Sequence, residues 1–249
     1  MIIDTHCHIY KSEMENAEEI INEAAKRDIC MILNGTDHLS NIEVLELSKK
    51  YDNVYAALGY LYSFADDVTD DDISLLDSQL DNDKVIAVGE IGLDYYHTKE
   101  NKDKQKELFE NMLNLAEKHN LPVIVHSRKS MQDTFDILKN YDVAGSMHSY
   151  LGSAEMAREF IKMGFYIGVS GPVTHINNKK IRKMVKQIDI THILVETDSP
   201  YLTPEEMRGE KNTSLNLKYI IRKIAEELGM KEADVQNITT NNAKKLFKL

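Results

Sequence analysis

Eight short β-rich runs recur along the chain, each separated from the next by a helix-like stretch, and this alternation limits the fold more than any other feature. The runs are Met1–Thr5, Ile29–Asn34, Val54–Leu58, Val85–Gly89, Pro122–His126, Ala144–His148, Phe165–Val169 and His192–Glu196. Helix-like segments lie near 14–27, 38–50, 70–81, 101–119, 130–140, 153–163 and 178–187. A further one lies at 214–228, and two short helical pieces reach the C-terminus. Strands spaced by helices imply parallel βαβ units, because parallel neighbours need a crossover and that crossover is right-handed. Eight such units are what a closed (β/α)8 TIM barrel requires. An open doubly wound sheet is the competing arrangement. No Gly/Ser/Pro linker, repeat or low-complexity block divides the chain, so a single α/β domain over 1–249 is expected. Pro122, Pro172, Pro200 and Pro204 fall at strand edges or in loops, where they interrupt no helix. Ser153 ahead of AEMAREFIKM and Thr213/Ser214 ahead of LNLKYIIRKIAEEL are the expected helix starts.

Composition narrows the function classes. With 42% hydrophobic and 29% charged residues the chain is too apolar to be disordered. No apolar run approaches the roughly 20 residues that span a bilayer. The start, MIIDTHCHIY, has neither a basic flank nor an apolar signal core, so an unprocessed, cytoplasmic protein is expected. Cys7 and Cys30 cannot build a disulfide framework and fit a reducing compartment. No long apolar surface stripe demands a partner, and a monomer is expected. The formal charge of −11 argues at first sight against a polyanion, since phosphate binding relies on Lys and Arg. However, the stretch Tyr51–Asp83 holds nine Asp and no Lys or Arg, which leaves −2 for the rest of the chain. A solvated acidic helix is the expectation there, with a local cation site as the sharper alternative.

The residues that carry chemistry sit at strand ends. In Asp4-Thr5-His6-Cys7-His8, strict alternation puts Asp4, His6 and His8 on one face and Thr5 and Cys7 on the other. Two imidazoles at i and i+2 can share one metal ion, with a nearby carboxylate to orient them. The fourth run leads into Gly89-Glu90-Ile91-Gly92-Leu93-Asp94, the fifth ends at His126, the sixth at His148, and the eighth reaches Glu196-Thr197-Asp198. Any one of these reads equally as a hydrogen-bonded rim residue, a helix cap or a loop carboxylate. All of them, however, fall at the barrel end where active sites are built. Four His and two carboxylates on one mouth is the ligand inventory of a two-metal hydrolytic site. Gly89 and Gly92 would let the backbone turn tightly around Glu90. Arg128, two residues beyond His126, is placed for a phosphate oxygen. Arg208 and Asn212 follow Asp198-Ser199-Pro200-Tyr201 as further substrate contacts. His119 and His192 read as surface or strand-start residues; His38, His97 and His175 remain rim candidates.

Taken in order, DTHCH, GEIGLDYY, PVIVHSR, MHSYLGS, LVETDSPYL and RGEKN give a sequence that resembles the TatD family of metal-dependent hydrolases, within the amidohydrolase-like barrel group. The resemblance spans essentially the whole chain. It implies that His6, His8, Glu90 and Asp198 hold one divalent ion and that Glu90, His126 and His148 hold a second, with Glu90 as the bridge. One departure stands out. Family members often carry G-x-H-P-H after the third strand, and here Gly59-Tyr60-Leu61-Tyr62-Ser63 places tyrosines where the histidines would be. Tyrosine can hydrogen-bond a phosphate but shuttles protons poorly at neutral pH. The N-x-P element is also altered, with Asn212 followed by Thr213-Ser214.

What the resemblance implies is a metal-dependent deoxyribonuclease of 3′–5′ exonuclease type. Asp198 and Glu90 are the catalytic carboxylates, and Arg128, Arg208, Tyr60 and Tyr62 contact substrate. Deacylation of misacylated D-aminoacyl-tRNA and a metal-loaded binding protein with little turnover are the alternatives. His and carboxylate donors suit Zn2+, Mn2+, Ni2+ or Fe2+ better than Ca2+, with less selectivity for Mg2+. Two such ions would turn the residual −2 into +2. That favours a single-stranded terminus over long tracking on duplex DNA, which needs an extended basic surface.

Overall fold

The computed structural model describes residues 1–249. All eight expected strands form, as β1 (Ile2–Cys7), β2 (Ile29–Asn34), β3 (Val54–Leu58), β4 (Val85–Asp94), β5 (Val123–Arg128), β6 (Gly145–Met147), β7 (Phe165–Val169) and β8 (Ile193–Val195). They make one parallel sheet in the order β1 to β8, each strand beside its sequence neighbour. The ends meet where the Asp198 N–H donates to His6 O at 2.9 Å and Thr5 Oγ1 donates to Val195 O at 3.2 Å. This sequential order excludes the doubly wound alternative, whose strand order reverses at a switch point. The result is a nearly closed TIM barrel of a single domain.

The helices are α1 (Ala17–Lys26), α2 (His38–Lys50), α3 (Asp70–Gln79), α4 (Lys102–His119), α5 (Met131–Leu138), α6 (Ala154–Lys162), α7 (Lys179–Gln187), α8 (Leu217–Leu228) and α9 (Glu232–Phe247). Ser153 caps α6, its hydroxyl accepting from Met156 N. The α8 expectation is corrected. A 3-10 turn over Ser214–Asn216 precedes the helix, and Ser214 spends its hydroxyl on Asp4 instead of on a cap. The C-terminus is one 16-residue helix where two pieces are expected. Thr239, Thr240 and Asn242 are poor helix formers, but tertiary contacts outweigh propensity. Asn242 donates to the carbonyls of Ile190 and Ile193, and Ala243, Leu246 and Phe247 pack on the inner barrel cluster.

That inner cluster draws Ile3, Ile32, Ala57, Ile86, Ala87, Ile124, Tyr166 and Leu194 from seven strands, and α9 closes it. A larger apolar shell packs the outer strand faces against the helices. The acidic stretch binds its neighbours. Asp66 pairs with Lys104, and Asp77 pairs with Lys118 and His119, all on α4. The stretch thus docks α3 and its preceding loop onto α4, and the candidate clusters of metal-ligating side chains all lie elsewhere. No helix is long and apolar enough to cross a membrane.

Two register shifts decide what faces the mouth. Asp4 pairs with Met31 but Cys7 with Leu33, so β1 carries one extra residue between them. Such a bulge breaks strict alternation. Asp4 therefore leaves the His6/His8 face, contrary to the sequence expectation. Its buried carboxylate accepts from Thr197 N at 2.9 Å, Thr197 Oγ1 at 2.6 Å and Ser214 Oγ at 2.6 Å. Similarly, Val88 pairs with Val123 but Ile91 with Val125, which puts a bulge at Gly89-Glu90. β4 consequently continues to Asp94 and makes no turn around Glu90. Gly92, at φ +129°, sits against the His126 carbonyl where a Cβ would collide.

Candidate metal centre

Six side chains converge at the C-terminal end of the barrel: His6 and His8 from β1 and its exit, Glu90 from the β4 bulge, His126 from β5, His148 just past β6 and Asp198 just past β8. Asp198 takes a left-handed backbone at φ 58°, a conformation Asp tolerates better than most residues. Glu90 divides its two oxygens. Oε2 lies 3.5 Å from His6 Nε2 and 3.3 Å from His8 Nε2, while Oε1 lies 3.1 Å from His126 Nδ1 and 3.8 Å from His148 Nε2. Asp198 Oδ1 approaches His6 Nε2 at 3.4 Å, His8 Nε2 at 3.5 Å and His148 Nε2 at 3.8 Å. Three overlapping triads of ligand atoms result: His6–His8–Glu90, His6–His148–Asp198 and Glu90–His126–His148.

The donor set fits divalent cations. The Nε2 atoms of His6 and His8 face one spot only 3.0 Å apart, and neither the buried Glu90 nor the partly buried Asp198 has a Lys or Arg among its partners. In the ion-free chain, protons on the imidazoles must balance that charge. Burial opposes a charged ring, but Glu90 and Asp198 outweigh it and raise His6 to about 9 and His8 to about 10. Asp94 and Glu90 likewise overcome burial to raise His126 to about 9. Glu90 and Asp198 stay well below the usual carboxylate range despite burial, because the surrounding histidines hold them ionised. A site that recruits several protons to neutralise itself is one that divalent cations satisfy better.

Outer partners orient the rings. His8 Nδ1 bonds the Asn34 carbonyl at 2.9 Å, which turns Nε2 to the cluster. His148 Nδ1 bonds Glu196 Oε1 at 3.0 Å. His126 Nε2 bonds Asp94 Oδ2 at 3.1 Å, leaving Nδ1 for Glu90. Burial alone would raise Asp94, but the bonds from His126 and His97 hold it below the usual range. Neither Asp94 nor Glu196 is among the expected site residues: they lie within GEIGLDYY and LVETDSPYL, where only a four- and a two-residue spacing from a ligand marks them.

A cavity of about 490 Å³ opens over the cluster, lined among others by Glu90, His126, His148, Asp198, Arg128, Tyr62, His97 and Tyr201. Two of the expected substrate contacts stand in this wall. Tyr62 stacks on His126 with ring centroids 5.2 Å apart, and the Arg128 guanidinium lies 4.1 Å over the Tyr96 ring. Two others stand away from it. Tyr60 is buried in the outer apolar shell, its hydroxyl 3.5 Å from Asp72 O, because its side chain is directed toward α3. Arg208 is exposed and paired with Glu205 beside His175 and Ile176. Asn212 is a brace: its amide donates to the carbonyls of Thr197 and Tyr201 and fixes the loop after Asp198. Among the remaining histidines only His97 lines the cavity. His38 borders a separate recess with Tyr60, and His175 bonds Thr203 O. His119 is largely buried between Asp77 and Asp81, a correction to its surface reading.

Comparison with known proteins finds relatives along the whole chain. The family model described as TatD related DNase matches residues 3–248. The uncharacterized metal-dependent hydrolase YabD of Bacillus subtilis is 40% identical, with 100% of each chain covered. The uncharacterized metal-dependent hydrolase MJ1582 of Methanocaldococcus jannaschii is 36% identical over 99% of this chain and 96% of its own. The crystal structure of YjjV, a TatD homologue from Escherichia coli, superimposes with a TM-score of 0.93 at 28% identity, covering 100% of this chain and 98% of that one. A barrel that gathers His and carboxylate donors at one mouth, and a match running from the first strand to the last helix, lead to one assignment: this chain belongs to the TatD family of metal-dependent hydrolases.

Proposed function

We propose that the protein hydrolyses phosphodiester bonds at the ends of single-stranded DNA and that it carries two divalent ions. His6, His8, Glu90 and Asp198 would hold one, and Glu90, His126 and His148 the other. The observation that carries the substrate class is Arg128, whose guanidinium stands in the wall of the same cavity as the cluster. A planar fork is the group that binds two phosphoryl oxygens at once. The chemistry that divalent ions supply in such a set is Lewis-acid polarisation of the phosphoryl oxygen and activation of a water.

The chain's own residues do the rest. Arg128 binds the phosphoryl group and Tyr62 borders it. Asp198 turns Oδ1 to the histidines, while its second oxygen makes no bond in the protein, leaving it free to accept the proton of the attacking water. The outer bonds from Asn34, Glu196 and Asp94 keep the imidazoles in place through the cycle. The net charge, concentrated on the α3 side, disfavours extended contact with a duplex and suits a short terminus in the mouth.

The test is a substrate panel with protein reconstituted in turn with Zn2+, Mn2+, Ni2+, Fe2+ and Mg2+. Single-stranded oligodeoxynucleotides should shorten from one end, and Asp198→Asn should remove most of that turnover while the fold persists. Inert DNA with rapid deacylation of D-aminoacyl-tRNA would move the assignment to a carboxylic ester. Full metal occupancy without hydrolysis of either would make the chain a binding protein.

A further inference from the structure

His97 belongs to no ligand triad, yet the fold fixes it in the cavity wall with more bonds than a surface histidine needs. Asp94, fully buried at the end of β4, receives the backbone N–H groups of Tyr96 and His97 on Oδ1 at 2.7 and 2.8 Å. These two bonds shape the turn that leaves β4, and Gln105 braces it from α4 through the carbonyls of Asp94 and Thr98. The same carboxylate then takes His97 Nδ1 on Oδ2 at 2.9 Å, a bond the turn does not require. The ring is flanked by Tyr96, edge-on at 5.1 Å, and by Tyr62, parallel to within 4° at 6.5 Å. It remains half-exposed, it lines the cavity shared by Glu90, His126, His148 and Asp198, and its Nε2 makes no bond within the protein. One nitrogen anchored to a buried carboxylate and the other open to a reaction cavity is the geometry of an oriented acid or base.

We propose that His97 is a catalytic residue that delivers a proton to the leaving oxygen of the substrate. The inference rests on the hydrolytic reading above, and it holds for a phosphodiester and a carboxylic ester alike. An oxygen from water bonds to the electrophilic atom, and the proton lost by that water goes to Asp198. As the bond to the leaving oxygen breaks, its electron pair stays on that oxygen, and the Nε2 proton of the His97 imidazolium converts it to an alcohol, which leaves a neutral ring with Nδ1–H still on Asp94. The imidazole then regains a proton from solvent while Asp198 releases one, so no redox partner or cosubstrate enters. The loop after β3 supplies tyrosines at this place, and phenol is a weak acid at neutral pH. Imidazole is the side chain best suited to such a transfer.

The experiment compares two leaving groups in wild type and His97→Ala, with metal content matched by elemental analysis. The backbone bonds to Asp94 survive this substitution, so the variant should fold and load metal. Oligothymidylate releases an alkoxide that needs a proton, whereas bis(p-nitrophenyl) phosphate releases a phenolate that does not. The ratio of kcat on the activated diester to kcat on oligothymidylate should rise about 10²-fold or more in H97A. Added imidazole should lower that ratio again. An unchanged ratio, whether both rates fall together or neither falls, would overturn the proposal. If wild type leaves oligothymidylate intact, the DNA reading fails by itself. The same ratio is then measured with an ethyl and a p-nitrophenyl carboxylic ester, and the same two outcomes decide the role of His97.

Discussion

His148 and Glu196 are joined through Nδ1 and Oε1 at 3.0 Å, and this one bond determines which nitrogen of the ring faces Glu90 and Asp198. Glu196 is fully buried and also accepts from Ser149 N, so it ties the ring and the turn after β6 together. Glu196→Gln should therefore weaken metal binding by about 10- to 100-fold, most at the Glu90–His126–His148 triad. Competition against a chromophoric chelator reads this directly. Unaltered affinity would show that the ring holds its orientation without the charge.

Glu90 is the one residue whose two oxygens face different pairs of histidines. Glu90→Ala should lower the bound metal at every occupied position at once, whereas His126→Ala should spare the His6–His8 side. Elemental analysis after gel filtration separates the two variants. Equal losses in both would contradict the division of the carboxylate.

Asp4 gives a stability prediction independent of metal. Its carboxylate satisfies Thr197 N, Thr197 Oγ1 and Ser214 Oγ, and burial raises it to about 6 despite those three bonds. Asp4→Ala leaves buried donors without an acceptor and should cost roughly 3 kcal/mol. Asp4→Asn, which keeps one acceptor oxygen, should cost less. Urea midpoints at constant m-value provide the comparison.

The metal-free chain should lose stability as the solution becomes alkaline. His6, His8 and His126, raised to about 9, 10 and 9, favour the folded state fully below their ordinary value near 6.5. That contribution disappears as pH climbs through 9 to 10. Glu90 and Asp198, held low, act in the opposite sense: their contribution is present above the ordinary carboxylate range and is lost as pH falls below it. Thermal scans in chelator should show Tm declining between pH 6.5 and 10. With metal bound the rings carry ions instead of protons, so this decline should vanish and affinity should rise with pH. A metal-free Tm that is flat over that window would refute the charge balance.

Arg128 should act on substrate binding. Arg128→Ala should raise KM for a phosphodiester about tenfold or more. Arg128→Lys should recover little, because an ammonium does not fork onto two oxygens as the guanidinium over Tyr96 can. Steady-state kinetics on the activated diester test both, and a kcat effect at constant KM would place the guanidinium elsewhere in the cycle.

Much of this protein is legible in its sequence. Eight β-rich runs alternating with amphipathic helices are a local property of the chain, and parallel pairing with right-handed crossovers leaves few ways to assemble them. The strand-end positions of His6, His8, Glu90, His126, His148 and Asp198 follow from the same local reading, because a barrel delivers the ends of all its strands to one mouth. Facing and reach were decided only by the tertiary structure. A one-residue bulge in β1 turned Asp4 away from His6 and His8, and no periodicity announces such an insertion. Glu196 and Asp198 share parity on one strand end, yet the first braces His148 from beneath while the second, in a left-handed conformation, enters the cluster. Tyr60 and Tyr62 likewise stand two residues apart, and only packing against α3 sends one into the apolar shell while the other stacks on His126. The chain's local pattern determined which strand ends meet; register and packing across the barrel decided which side chains touch there.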